Sequence, residues 1–557
     1  MQGMRMQVLQ AFGIALIALL AWPLVAGAQR LTPIPRRGAA RQQAQVLAKA
    51  AVSAHANTAG SASPASPWTP LTNQPTFLDP INCAAAANPI LLTDGTVLVQ
   101  DGGCQDWWKL TPDKNGSYVN GTWNQIASLP AGYSPLYHSS AVLPDGRLII
   151  EGGEYNFFNA VWTNLGAIYD PLADTWTPVN PPSGWTTVGD SQSVVLPNGT
   201  FMQSNCCTNE AALFNPKTLT WTPTGNGKFD PNDEEGWTLL PNGKVLTVDA
   251  YVPISPFPYI PDGQNYEIYN PKTGNWSVAG TTPVQLWDSW LTCGEFSQEP
   301  TNGPSFEVGP GVLRPDGTVF YMGSDTCPDP STPSGFASGH TAIYNSHTGK
   351  WKAGPDFPGG VNIADGPAAL EPNGKVLMFA SPGFGNTPSS FFEWDGHDLE
   401  AVPGTPNAPI DGSFYGNMLV LPTGQILFTD FSDDIEIYTP AGRREENLEP
   451  IVISAPIFLK GGQSYKISGF RFNGFSQGAA YGDDVQGATN FPLVRLTNIF
   501  NGHVRYSRTH DHSSMAVASD DFVSTHFDVP ANQEPCLCRL EVVTNGIASD
   551  PVFVFAE

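Results

Sequence analysis

One hairpin recurs seven times along the chain, and no other feature restricts the fold as much. An apolar strand, a tight turn ending in glycine and a second apolar strand appear as "PILLTDGTVLVQDGG" around Gly95, "AVLPDGRLIIEGG" around Gly146, "SVVLPNGTFMQS" around Gly199, "WTLLPNGKVLTVD" around Gly243, "GVLRPDGTVFYMG" around Gly317, "AALEPNGKVLMFA" around Gly374 and "LVLPTGQILFTD" around Gly424. The glycine supplies the positive φ that such a turn needs. Most copies are followed by a Tyr or Phe with Asn/Asp-Pro and then a Trp, as in "IYDPLADTWTP" and "LFNPKTLTWTP". Hairpin and signature together make the four strands of a blade. The repeat predicts an all-β chain with a seven-bladed kelch-type β-propeller over residues 66–444. After "DIEIYTPAG" no Trp strand follows, whereas "SPWTPLTNQP" has one with no hairpin before it, so the N-terminal strand is expected to complete the last blade.

Beyond the repeats the pattern changes. Short alternating strands such as "PIVISAPIFLKGGQSYKISGFRF" and "RLEVVTNGIASDPVFVFAE" predict an immunoglobulin-like β-sandwich over residues 445–557. At the other end, Arg5, the apolar run from Phe12 to Ala26 and Ala26-Gly27-Ala28 read as a signal peptide over residues 1–28, with a mature start near Gln29. Residues 29–65 read as an Ala/Pro/Ser-rich basic linker. No later run of about 18 apolar residues predicts a membrane span. A secreted or otherwise extracytoplasmic protein is expected, and a monomer.

Charge narrows the partners. Arg5, Arg30, Arg36, Arg37, Arg41 and Lys49 account for six of the 26 basic residues, and none of the 51 acids precedes residue 66, so the folded body carries a net charge of −31. Such a body repels nucleic acid and anionic membranes. The eight cysteines favour disulfides in an exported chain. Their order suggests Cys83 with Cys104, Cys206 with Cys207, Cys293 with Cys327, and Cys536 with Cys538.

The first strand of each blade lines the propeller axis, so residues equally far before the turn belong to one ring. Counting back seven from each turn's first residue selects Ala86, Tyr137, Asp190, Glu234, Val308, Asp365 and Tyr415. Buried carboxylates at Asp190, Glu234 and Asp365 are costly unless hydrated or bound to a cation. Oxygen donors without clustered histidines suit calcium or magnesium better than copper. A register slip of one residue would select His138, Ser191 and Glu235 instead.

A secreted kelch propeller followed by an immunoglobulin-like domain resembles the galactose oxidase and glyoxal oxidase family of copper radical oxidases. The resemblance implies an axial copper held by two tyrosines and two histidines, with one tyrosine crosslinked to a cysteine. On this chain it implies Tyr137, in "YHSSAVLPDGR", as the radical tyrosine and Tyr415, in "FYGNMLVLPTGQ", as the axial one, both then catalytic and metal-binding. It also implies Thr509 and His510, in "YSRTHDHSSMAV", as the pair reaching in from the terminal domain. Gly416 stands where the family has a histidine, and Cys83 lies a few residues before the crosslinking position. His138 or His512 is the expected substitute ligand, and the i, i+2 spacing of His510 and His512 would also suit a shared metal.

Three readings follow. The first is a carbohydrate binder using the channel mouth, with Trp107, Trp108, Trp237, Trp287 and Trp290 either stacking on sugars or packing the blades. The second is a copper oxidase of small primary alcohols or aldehydes that releases hydrogen peroxide. The third is a metal-assisted hydrolase using Asp190, Glu234 and Asp365. No nucleophile elbow, phosphate loop or dinucleotide fingerprint is present.

Overall fold

A computed structural model describes residues 66–557 apart from 80, 207, 233, 251–264, 288–306, 326, 384–385 and 485–486. The expected signal peptide and linker, and also Cys207, Trp290 and Cys293, lie outside the described residues.

The chain is all-β and strongly antiparallel. Each of the seven hairpins founds its own sheet, giving six four-stranded sheets and one six-stranded sheet. The first sheet shows the common order: Ala86–Leu91, Val97–Asp101, Trp107–Thr111 and Thr122–Gln125 follow one another outward. All seven turn glycines have φ between +77° and +83°. In the last sheet, Trp68–Pro70 pairs with Glu436–Tyr438, so the N-terminal strand supplies the outer strand that the seventh repeat lacks. Innermost strands pack on those of neighbouring sheets, Ala86–Leu91 on Asn417–Val420 and Asn417–Val420 on Ala368–Leu370. Residues 445–557 contribute a nine-stranded sheet, from Ile451–Ser454 at one edge to Phe458–Leu459 at the other.

The C-terminal part is seated on the hairpin turns. Arg508 donates through Nη2 to the Asp145 carbonyl at 2.7 Å, and the Thr509 N–H donates to the Thr93 carbonyl at 3.1 Å. At Gly95 a Cβ would lie 2.5 Å from the Tyr506 ring, so this turn needs glycine for both its backbone and its clearance. Gly95→Ala is expected to lower stability by about 1–3 kcal/mol, read as a lower denaturation midpoint with an unchanged slope.

One segment leaves this seat and runs along the innermost strands. Its base is closed by Asn473, whose Nδ2 donates to the Asn490 carbonyl at 2.9 Å, and by the Thr489 N–H, which donates to the Gln477 carbonyl at 2.7 Å. Ala479–Ala480 pairs antiparallel with Ala368–Ala369. Gly236 leaves room for this finger, because a Cβ there would sit 2.1 Å from the Gly482 carbonyl oxygen. The finger delivers Tyr481, Asp483 and Asp484 to the strand ends remote from the turns.

Cys83 and Cys104 form a disulfide, as do Cys536 and Cys538. Cys206 and Cys327 are also disulfide-bonded, and the partners expected for them lie outside the described residues.

Candidate functional site: an acidic, tyrosine-lined axial chamber

The structure brings Tyr137, Asp190, Glu234, Asp365 and Tyr415 together where the innermost strands begin. Tyr137 interacts electrostatically with Tyr415, Glu154 and Asp365, and Glu234 does so with Asp190 and Asp483. Neither Tyr137 nor Glu234 lies in regular strand: their φ values are +48° and +58°. Left-handed backbone is unfavourable for such residues and collects at functional sites. Here it turns the side chains onto the axis just before each strand starts.

The floor of the chamber is acidic and buried. Asp190, Glu234 and Asp483 each offer a carboxylate oxygen, and the three oxygens lie within 4.8 Å of one another. All three residues are at most 5% exposed. Glu307 adds a fourth acid, its carboxyl hydrogen-bonded to that of Glu234, which requires a proton between them. Burial pushes the Glu234 carboxyl well above the ordinary carboxylate range, and Glu307 raises it further. Burial also raises Asp483 to about 6 against the pull of its backbone hydrogen bonds. One carboxylate oxygen of Glu234 has no hydrogen-bond partner.

Tyrosines form the wall. The Tyr137 ring packs on Tyr155, Phe431 and Tyr481, with centroids at 6.2, 5.9 and 6.5 Å. Tyr415 packs on Phe431 at 5.6 Å, and the Tyr481 hydroxyl donates to the Phe414 carbonyl at 2.6 Å. The Tyr137 hydroxyl is buried with no hydrogen-bond partner. Burial first, then the neighbouring Tyr415, raises the Tyr137 phenol well above its usual value. Tyr137, Glu154, Asp365 and Phe414 are partly exposed, whereas the acids of the floor are buried.

Several expected participants lie elsewhere. Val308 holds the fifth ring position in the sequence count, but the acid at the chamber is its neighbour Glu307, because the Val308 N–H is tied to the Glu234 carbonyl at 2.9 Å. His138 sits in the packing between the first two sheets: Nε2 contacts Gln100 Oε1 at 3.0 Å, the ring stands edge-on to Trp107, and burial depresses its pKa to about 4. His510 contacts Asp511 at 2.8 Å and Asp528 at 3.1 Å. It follows Thr509, which binds the first hairpin's turn, so it lies at the opposite ends of the inner strands, roughly 20 Å away at about 3.3 Å per residue. His512 is buried against Phe491 with Nδ1 at 2.8 Å from Thr525 Oγ1, and burial lowers its pKa to about 3. The ring stacked on His510 is that of His526, at 5.7 Å, rather than that of His512.

A copper site of two tyrosines and two histidines is therefore not matched by the residues gathered here. Among the described histidines, His138, His510, His512 and His526 are engaged as above, His340 pairs with Asp356, His503 pairs with Glu534, and His347 and His397 are exposed in connections between strands. Cys83 is committed to Cys104. The donor set is instead carboxylate and phenol oxygen, which hard divalent cations prefer. Of the tryptophans expected at the rim, the four described ones pack the fold: Trp107, Trp237 and Trp287 are buried and Trp108 is stacked on Phe77 at 3.7 Å.

Tyr481, Asp483, Asp484 and Glu307 were not found by sequence reasoning. The available signal was "AAYGDD", a Tyr-Gly with two acids inside a long stretch with little strand pattern, between Phe470 and Leu493.

No family model matches the chain. The kelch-like protein terF of Aspergillus terreus is 28% identical over 117 residues, which cover 19% of this chain and 25% of that protein. The match thus spans a quarter of that relative's length. Among solved structures, a fungal alcohol oxidase of the AA5 family in complex with copper is 13% identical, covers 89% of this chain and 99% of its own, and has a TM-score of 0.45. Virginiamycin B lyase from Staphylococcus aureus is 9% identical, with coverages of 67% and 98% and a TM-score of 0.42.

Proposed function

We propose that this chain is an extracytoplasmic protein of galactose-oxidase-like architecture, with residues 66–444 as a seven-bladed propeller and residues 445–557 as an immunoglobulin-like domain. Its axial chamber binds a carbohydrate or related polyol with the help of a hard divalent cation. The observation that carries this is the meeting of Asp190, Glu234 and Asp483 oxygens within 4.8 Å on a buried floor, beneath a partly exposed rim of tyrosine and phenylalanine. Carboxylates hold the cation, its open positions accept vicinal hydroxyls, and Tyr137 and Phe414 offer aromatic surface to a sugar ring. When bound, the cation supplies Lewis acidity to an oxygen ligand. The chain's own residues fix the ligand and hold the proton shared by Glu234 and Glu307.

The test is calcium titration calorimetry on the chelator-treated secreted protein, followed by retention on immobilised polysaccharides with and without calcium. Calcium-dependent retention lost in Asp190→Asn supports the reading. Retention unchanged by chelator and by Asp190→Asn rejects it.

A second reading, oxidation of primary alcohols or aldehydes, is favoured by one feature: the unpartnered Tyr137 hydroxyl beside Tyr415. Copper-loaded protein would then release hydrogen peroxide, and Tyr137→Phe would abolish it. Under the binding reading, no peroxide forms in either protein. Metal-assisted hydrolysis would appear as calcium-dependent cleavage of the retained glycan.

A further inference from the structure

Directly behind the chamber lies a second group of charges that the proposed function does not use. Glu234 faces the axis, and the next residue, Glu235, turns the other way into the packing around the fourth sheet. There it meets Lys228, Asp230, Asp249 and Glu267, and all five side chains are fully buried. The Lys228 ammonium pairs with Asp230, with Glu235 at 2.9 Å and with Glu267 at 2.8 Å, and it lies 5.7 Å from the centroid of the Trp276 ring. Glu267 is further satisfied by the Phe229 N–H, at 3.0 and 3.1 Å from its two oxygens.

Four carboxylates and one ammonium leave three uncompensated negative charges in a pocket without solvent. Either protons or a cation must neutralise them. A protonated carboxyl carries an O–H that needs an acceptor, yet neither oxygen of Asp249 has a hydrogen-bond partner, and the Lys228 ammonium stands off at 4.0 Å. A second observation is independent of the acids. The Thr247 hydroxyl is fully buried and has no hydrogen-bond partner. Thr247 stands opposite Glu267 in the strand pairing and two residues before Asp249, which places its side chain on the same face as theirs.

The spacing suits one ion. Oxygens of Asp230, Glu235 and Asp249 all lie within 4.8 Å of one another. Two oxygens each about 2.4 Å from a common calcium are at most about 4.8 Å apart. We propose that Asp230, Glu235 and Asp249 hold a structural divalent cation of the calcium class, with Thr247 adding a neutral oxygen and Lys228 and Glu267 paired alongside. The ion would leave a net charge of −1 in place of −3. It would also brace the backbone at Glu234, whose left-handed conformation aims its carboxylate at the axis. This inference stands apart from the axial cation, since the two sites share no ligand.

The experiment is elemental analysis of the full secreted protein after dialysis in buffer with micromolar calcium, for wild type, Asp249→Asn, Glu235→Gln and Asp190→Asn. The expected result is one full equivalent of calcium lost in Asp249→Asn and in Glu235→Gln and retained in Asp190→Asn, with the two depleted variants unfolding at lower temperature. Equal calcium in wild type and Asp249→Asn would overturn the proposal. Calcium lost only in Asp190→Asn would overturn it too, while leaving the axial reading in place. Calcium lost in Asp249→Asn and Glu235→Gln but not at all in Asp190→Asn would support it and remove the axial reading, and a wild type without calcium rejects both. Should neither variant at the second site be secreted in folded form, Asp190→Asn decides: a remaining equivalent supports the site, and none overturns it.

Discussion

Asp483→Asn is expected to weaken calcium binding at the axial chamber by at least about 10-fold while leaving the metal-free protein as stable as wild type, or more so. Loss of an outer partner alone costs roughly 10–100-fold in metal affinity, and removing a charged ligand costs at least as much. The stability expectation has the opposite sign because Asp483 is buried with its carboxyl held up at about 6, so without a cation the charge is a burden on the fold. Asparagine keeps the shape and removes the charge. Calorimetry gives the affinity, and thermal unfolding in chelator gives the stability. A variant that binds calcium as wild type does would remove Asp483 from the site, and one that simply unfolds would make its role structural. The prediction joins two parts of the chain, because the ligand travels on the finger from the C-terminal part to inner strands that the seven hairpins supply.

The ease of reading different parts of this site follows from how local each determinant is. Strand, turn and glycine recur with a fixed phase, so counting back from each turn selects Tyr137, Asp190, Glu234, Asp365 and Tyr415 for one ring, and the structure gathers those five at one place. The count slips at the fifth repeat, where Glu307 and not Val308 meets the axis. One backbone hydrogen bond to Glu234 sets that register, and no turn reports it. Tyr481 and Asp483 are illegible for a different reason: the finger has weak strand character, and its position is fixed by glycine clearances at Gly236 and Gly482 that appear only after folding. Matching Thr509-His510 by sequence put a histidine on the axis. The strand carrying it instead binds the hairpin turns, and a strand's length then separates it from the chamber. The indoles are bulky enough to serve either as blade packing or as rim, and only burial distinguishes the two uses.

Stability should change with pH in opposite directions with and without a cation. In the metal-free protein Asp483 has a folded-state pKa of about 6 against an ordinary value of 3.8, and Glu234 is also raised. The fold therefore favours their protonated forms. That contribution is fully present below about pH 4 and is lost as pH rises through 6, amounting to about 3 kcal/mol for Asp483 alone. Calcium reverses the trend: it binds only the deprotonated carboxylates, so its affinity falls as pH drops below about 6 and its binding releases protons. Unfolding temperature in chelator should thus decline by several degrees between pH 4 and 7, whereas in saturating calcium it should climb over the same range. Calorimetry in two buffers of different ionisation enthalpy would count the protons released. A chelated protein whose stability rises with pH would mean that these carboxylates are ionised in the empty fold, and the chamber would then be a hydrated channel mouth with no built cation site.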